Sequence, residues 1–474
     1  MNAYTIVGLV LVGLFLLMVL KESYDSNQRM KRILGKAKEA FGTYNSERLS
    51  SDEMESVKRL FYRYKTGDSI DDITANDIEL DEVFQVFNNC KSSCGSEYFY
   101  SLLRNPVYDE NKLKDFDKKV SCLNENEVLR AKFFKHFISI GSMRRVNFLD
   151  CLDYIDSVER NNCFLDIILN VALVGSVALI FVMPSVGTAF LVFSILLSII
   201  TYFKRRGEIE KFIVLLSFIS GFLKEGKLLV KDLDYTFIDD KEELIKNLTV
   251  EKRLINLMKL VNKTSGSTGA GNPLDIVFDY IRVIFHIDII SFYKIISLIK
   301  DKKDSIEAAY ITLGKIETYL NVASLRKAVI NYSKPSKGEG FKATNLYHPL
   351  IEDPVKNSID TKKGVLITGS NASGKSTFLK AVCLNAIFAK TIYTCLCDEL
   401  IMDDYHVLSS MSLRDDILNH DSYFMVEIKA LKRIFDYRSE NPDKKVLCFV
   451  DEVLRGTNTV ERIACATQIL KAFD

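Results

Sequence analysis

The sequence predicts an α/β phosphate-loop NTPase domain at the C-terminal end of the chain, preceded by mostly α-helical regions that include transmembrane helices. Three observations carry this: the run "TGSNASGKSTFLK" beginning at Thr368, the strand-like "KVLCFVDE" of Lys445–Glu452, and two charge-poor apolar stretches, Tyr4–Leu20 and Phe164–Phe203.

Gly369, Ser370, Asn371, Ala372, Ser373, Gly374, Lys375 and Ser376 fit the pattern G-x-x-x-x-G-K-[ST]. Its two glycines let the backbone curl so that successive N–H groups point at phosphate oxygens. Lys375 then neutralises the β- and γ-phosphates, and the Ser376 hydroxyl binds Mg²⁺, with Thr377 beside it on the first helical turn. The flanks agree: "GVLIT" (Gly364–Thr368) reads as a short apolar strand and "KSTFLKAVCLNAIFAK" has helical spacing. The loop therefore opens onto a helix N-terminus, which favours anions.

"KVLCFVDE" is a β-branched and aromatic run ending in two acids, which predicts a buried parallel strand delivering carboxylates at its C-terminal edge. Asp451 is placed to hold Mg²⁺ through its shell. Glu452 is placed to orient and deprotonate an attacking water, since phosphoryl transfer depends mainly on positioning and charge neutralisation. Lys375 and Glu452 are thus the candidate catalytic residues, and Ser376 and Asp451 the candidate metal ligands.

Together with "DDILNHDSYFMVEIKALKRIF" (Asp415–Phe435) and "DEVLRGTNTVERIACATQIL" (Asp451–Leu470), these motifs resemble the ATPase domain of the MutS mismatch-repair family. Asn371 sits where that family's phosphate loop carries its Asn, and "SYFMVE" (Ser422–Glu427) is similar to its Ser-Thr-Phe-Met-Val-Glu signature. The resemblance implies an ABC/MutS-type fold, ATP and Mg²⁺ as cofactors, and a homodimer in which Ser422 reaches the nucleotide of the other subunit. It also implies that the "RGTNT" loop (Arg455–Thr459) lines the dimer seam. The chain departs from the family in having His420-Asp421 where Gly-Arg precedes that Ser, and an anionic residue there disfavours a γ-phosphate. "YHPLIEDPVKNSI" (Tyr347–Ile359) resembles the family's lead-in to this domain, and "LGKIETYLNVASLRKAV" (Leu313–Val329) its long core helices, a pattern that any amphipathic helix also shows. Mismatch readers of the family carry a Phe-x-Glu wedge, and this sequence has none. Any DNA is therefore expected to be held non-specifically, through phosphates. The chain stops at Asp474, before the strand that in the family ends in a switch His, so a truncated product or fragment is expected.

Tyr4–Leu20 carries no charge and meets the lower limit of a span, roughly 17 residues. No basic residue precedes it and no small-x-small site follows, which argues against a cleaved signal. Lys21, Arg29, Lys31, Arg32, Lys36 and Lys38 follow, so the positive-inside rule puts the remainder in the cytoplasm. Phe164–Phe203, broken at Pro184 and Gly187, suits two spans joined by a tight turn and ended by Lys204-Arg205-Arg206. Asp166 and Asn170 are expected to reach the interface near the start of the first span. A buried helical hairpin in a soluble domain would show the same run. The expected protein is a multi-pass protein of the cell membrane with a cytoplasmic ATPase domain.

The expected organisation is an N-terminal anchor at 1–22, a cytoplasmic helical domain at 23–160, a transmembrane hairpin at 161–206, a helical core or lever at 207–335, and the ATPase domain at 336–474. "SGSTGAG" (Ser265–Gly271) reads as a linker within the fourth segment. The hydrophobic content is 48 % and the net charge +1, from 63 basic and 62 acidic residues, so no global basic excess advertises nucleic acid. The ten cysteines are scattered as packing thiols, and Cys90-x-x-x-Cys94 lacks a second ligand pair for zinc. The motifs thus predict a membrane-anchored ATPase whose dimer closes on ATP and moves attached helices, with DNA or a protein as cargo. An ATP-driven transporter subunit and a non-catalytic nucleotide-binding membrane protein are the alternatives. The first is set back by three spans being few for a translocation path and by the missing L-S-G-G-Q run.

Overall fold

The computed structural model of the chain describes residues 21, 23–25, 27–143, 146–159, 163–248, 254, 257–258, 280–370, 373–411, 423–454 and 458–473. The expected anchor at Tyr4–Leu20 and the linker at Ser265–Gly271 lie outside these residues. The described chain is mostly helical with a few short strands. It separates into two units, one of residues up to Cys90, Gly95–Lys135 and from Glu317 onward, the other of Lys91–Cys94 and His136–Ile316.

In the first unit, local chemistry starts the helices. Ser50 caps Ser51–Arg63 by accepting from the Glu53 N–H while the Glu53 side chain accepts from the Ser50 N–H, so two orphan donors are satisfied reciprocally. Asp71 caps Asp72–Asp77 without a reciprocal bond, accepting from the Thr74 N–H at 2.7 Å. Phe61 of the first of these is buried with Phe84 of the helix Leu80–Phe87 and Tyr100 of the helix Ser93–Arg104, the last two edge-to-face at 5.2 Å. Arg104 is buried among them, and its guanidinium is satisfied by Ile70 O, Tyr100 Oη and Asp72 at 2.9, 3.0 and 2.6 Å, as a buried cation requires.

The strands of this unit form two sheets. One has the order β1 (Ser336–Lys337), β4 (Glu399–Met402), β2 (Phe341–Leu346), β3 (Asn357–Thr361). The other pairs β5 (Tyr405–Ser410) with β6 (Lys445–Val450) in parallel, Tyr405 opposite Lys445 through Ser410 opposite Val450. The parallel partner expected for Lys445–Glu452 is therefore present, although β6 is half-buried rather than enclosed. Gly364–Thr368 is not a strand: it has no ladder partner among the described residues, and Leu366 is 74 % exposed. β propensity needs a neighbouring ladder to become a strand, and β6 is paired with β5 instead.

Two buried histidines make this unit sensitive to acid. Burial pulls the imidazoles of His348 and His406 down to about 4, with the carboxylates of Glu79 beside the first and Asp68 beside the second opposing it. His406 also stacks on Tyr437, ring centroids 4.0 Å apart. Below the ordinary value of 6.5 the unfolded chain takes up protons that the folded one refuses. Stability is therefore complete above pH 6.5 and falls as the pH is lowered toward 4, by at most about 3 kcal/mol per histidine. In urea titrations from pH 7 to pH 4, His406→Phe, which keeps the stacked ring, should show a shallower acid decline than the wild type. Parallel declines would show that His406 titrates normally.

The second unit holds the apolar hairpin, helices Phe164–Val182 and Pro184–Asp232. Pro184 starts the second helix, where its missing N–H costs nothing. Gly187 is required for the close return, because a Cβ there would lie 2.5 Å from the Ile180 backbone nitrogen. The basic run Lys204-Arg205-Arg206 does not end the second helix, which continues to Asp232. No proline follows Pro184 in this stretch, and the isolated glycines cost only about 1 kcal/mol each. Phe164–Val182 and Pro184–Gly207 are long and apolar enough to cross a membrane, with only 17 % and 22 % of their apolar windows buried. Farther along, Phe148 stacks on Tyr310 at 4.4 Å within a cluster that includes Phe222.

Asp166 does not extend to an outer interface as expected but is enclosed by protein, and the half-buried Asn170 is tied to the chain beside it. Asp166 is fully buried, lies 2.6 Å from His286 Nδ1 and pairs with Arg205. Asn170 Nδ2 donates to Phe285 O at 2.9 Å.

Candidate nucleotide site

The site lies in the first unit, where the helix Lys375–Thr391 begins. Gly374 precedes it at φ +87°, a left-handed conformation that suits glycine and turns the chain into the helix. The helix buries the stretch Ala381–Thr391, which fixes it while its first turn stays open: Ser376 and Thr377 are exposed and Lys375 half-exposed. Gly369 lets the loop close on itself, since a Cβ there would sit 3.0 Å from Ser373 Oγ. The Ser373 N–H bonds Ser370 O at 3.3 Å. Lys375 Nζ donates to Gly369 O at 2.6 Å and to Ser370 O at 2.8 Å, so its ammonium lies in the mouth of the loop. Asn371 and Ala372 lie outside the described residues.

β6 brings the acids to this loop. The Ser376 hydroxyl donates to the Asp451 carboxylate, so the two candidate metal ligands, distant in sequence, are in contact. Both offer hard oxygen atoms, the donor set that Mg²⁺ takes alongside waters and phosphate oxygens. Among the described residues no cluster of three or more His, Cys, Asp or Glu side chains could hold a metal by itself. A divalent ion here would thus be completed by the nucleotide, as the chemistry of a phosphate loop requires. Glu452 follows at φ +47° and Leu454 at φ +56°. Ser422, His420, Asp421 and the first residues of the "RGTNT" loop fall outside the described residues.

Two features of the surroundings were not read from the sequence. The buried Glu427 carboxylate, on the helix Tyr423–Glu440, accepts from the Leu454 N–H. Its signal was present: Glu427 is the acid that ends the quoted "SYFMVE" run and the only charge among Tyr423–Ile428. Asp77, from the N-terminal helices of the same unit, holds the end of β5 by accepting from Ser409 Oγ at 2.6 Å and from the Met411 N–H at 2.8 Å. Nothing in the sequence pairs those positions. The cysteines are free thiols, and burial pushes those of Cys383 and Cys395 upward, away from reactivity.

Comparison with known proteins agrees with this geometry. Residues 365–474 match the family model of MutS domain V, a P-loop ATPase-type domain. The chain is 34 % identical over 145 residues to the DNA mismatch repair protein MutS of Pseudothermotoga lettingae, covering 28 % of this chain and 17 % of that protein. It is 26 % identical over 269 residues to the DNA mismatch repair protein MSH3 of Saccharomyces cerevisiae, covering 54 % and 26 % respectively. Against MutS of Thermus aquaticus the identity is 28 % over 181 residues, covering 37 % and 22 %. The chain thus spans only about a quarter or less of the length of these relatives. With the loop, its lysine and the Ser376–Asp451 contact all inside the matched segment, the C-terminal part of the chain is similar to the ATPase-type domain of MutS proteins.

Proposed function

We propose that this chain is a membrane-anchored MutS-type ATPase in which ATP binding and hydrolysis drive closure of a homodimer. The observation that carries the ATPase reading is the Ser376–Asp451 contact at the mouth of a Gly-Lys-Ser loop. A bound Mg²⁺ ion would neutralise phosphate charge there. The chain's own residues do the rest. A loop of this pattern cradles phosphates through backbone N–H groups, and Lys375 exchanges its two loop carbonyls for phosphate oxygens. Glu452 takes a proton from the attacking water as its oxygen bonds the γ-phosphorus and the bond to ADP breaks.

The membrane reading rests on the hairpin, whose outward faces carry Phe181, Val182, Ile200 and Phe203 in contact with solvent. A patch of this kind needs cover. A bilayer fits because the apolar height of either helix, about 1.5 Å per residue, matches a hydrocarbon core of roughly 30 Å. A hairpin returns the chain to the side it left, which keeps the ATPase domain with cytoplasmic ATP. DNA, if bound, is held through its phosphates without reading mismatches, since no Phe-x-Glu wedge is present.

One experiment tests both parts. Membranes containing Glu452→Gln, which binds ATP without activating water, are washed with alkaline carbonate and then crosslinked with and without ATP. The protein should stay in the pellet and crosslink as a dimer only with ATP. Release into the wash would remove the anchor, and a monomer at saturating ATP would remove the dimer.

A further inference from the structure

The turn after β6 is held in a conformation that its residues disfavour. Glu452 at φ +47° and Leu454 at φ +56° both lie in the left-handed region, where a Cβ crowds the backbone. Such residues persist only where the surroundings over-determine them, and they gather at functional sites.

Here the surroundings can be named. Ser376 donates to Asp451, Arg462 Nε donates to Val453 O at 2.8 Å, and the Leu454 N–H donates to the Glu427 carboxylate. The first belongs to the phosphate loop and the second to the helix Thr459–Phe473. Glu427 is the contact that comes from the signature run. It is 3 % exposed, between Val426 and Ile428, and an acid is kept in such a place only against a donor that justifies its desolvation.

The geometry points to Glu427 as a positioning residue for the proposed ATP hydrolysis: its carboxylate, carried by the helix Tyr423–Glu440, fixes the turn that aims Glu452. This rests on the ATPase reading above. It gives that helix a way to act on the reaction, because displacing it releases Leu454 and re-aims Glu452 while the phosphate loop is untouched. Nucleotide binding and water activation thereby become separable, the first set by the loop and the second by the helix.

The test uses the full chain in detergent, with Glu427→Ala and Glu427→Gln, and two readouts. Hydrogen exchange of the segment Phe449–Leu454 reports the turn directly. Steady-state hydrolysis separates kcat from the KM for ATP. Glu427→Ala should exchange faster at Leu454 and lose kcat by roughly a hundredfold, the cost of a misplaced catalytic group, with the KM unchanged. Glu427→Gln, which keeps a carbonyl acceptor of the same shape, should recover most of both. Unchanged exchange in Glu427→Ala would overturn the assignment, as would an equal loss in the two variants or a loss confined to the KM. A wild-type chain that binds no ATP would remove the ATPase reading alone, because exchange at Leu454 would still decide whether Glu427 holds the turn.

Discussion

Lys375→Ala is expected to abolish ATP binding while leaving the fold intact. The ammonium sits at the mouth of the loop with two backbone carbonyls as its partners, at 2.6 and 2.8 Å, and with no carboxylate committed to it in the described contacts. A triphosphate offers several anionic oxygens in place of those two neutral ones. Each charge-assisted hydrogen bond of this kind contributes about 1.5–3 kcal/mol. Losing two of them weakens binding by at least about a hundredfold. The helix that carries Lys375 is anchored by the buried stretch Ala381–Thr391, which the substitution does not touch, so the unfolding midpoint should barely move. Titration with a fluorescent ATP analogue checks the first expectation and circular dichroism the second. Unchanged affinity would mean that the loop does not hold phosphates. Lys375→Arg should not restore binding fully, because a planar fork does not fit where a compact ammonium lies against loop carbonyls.

The loop and its acids were legible because their chemistry is local. A glycine pair, a lysine and a hydroxyl within a few residues dictate a backbone shape, and an apolar run ending in Asp451-Glu452 dictates where a strand delivers acids. The hairpin was legible for a similar reason, since length, apolarity and the break at Pro184 and Gly187 are all read along the chain. What the sequence obscured depends on partners distant in it. Gly364–Thr368 has the composition of a strand, but a ladder is a property of two segments, and β6 is paired with β5. The helix from Pro184 runs on through its basic residues because a charge does not break a helix as proline does, so the apolar stretch ends at the basic run while the helix continues. Asp77 and Met411 meet across more than three hundred positions, and no periodicity announces such a pair. The expected trans residue, Ser422, lies outside the described residues.

Asp166 shows how far a partner can change the meaning of a residue. Near the start of an apolar run it reads as an acid seeking the interface, whereas the fold surrounds it with His286 and Arg205 and excludes water. His286 bridges the two sides of this cluster, its Nδ1 2.6 Å from the Asp166 carboxylate and its Nε2 2.9 Å from Ser198 O. Beside it, Arg206 and Tyr202 both donate to Asp288, at 2.8 and 2.7 Å. The ends of the hairpin are thereby clasped to the turn from which the helix Ile287–Asp301 starts. Removing one partner of such a buried cluster costs more than the cluster contributes, because the remaining charges stay desolvated. Asp166→Ala is therefore expected to destabilise the second unit by about 3–5 kcal/mol, measured by denaturant unfolding in detergent. Asp166→Asn, which keeps an acceptor but not the charge, should fall between. In a double-mutant cycle with Arg205→Ala, the second substitution should cost far less in the Asp166→Ala background than in the wild type, since the guanidinium no longer has its acid to lose. Equal costs in the two backgrounds would show that Asp166 and Arg205 are neighbours without energetic coupling, and the clasp would then have to be carried by Arg206, Tyr202 and Asp288.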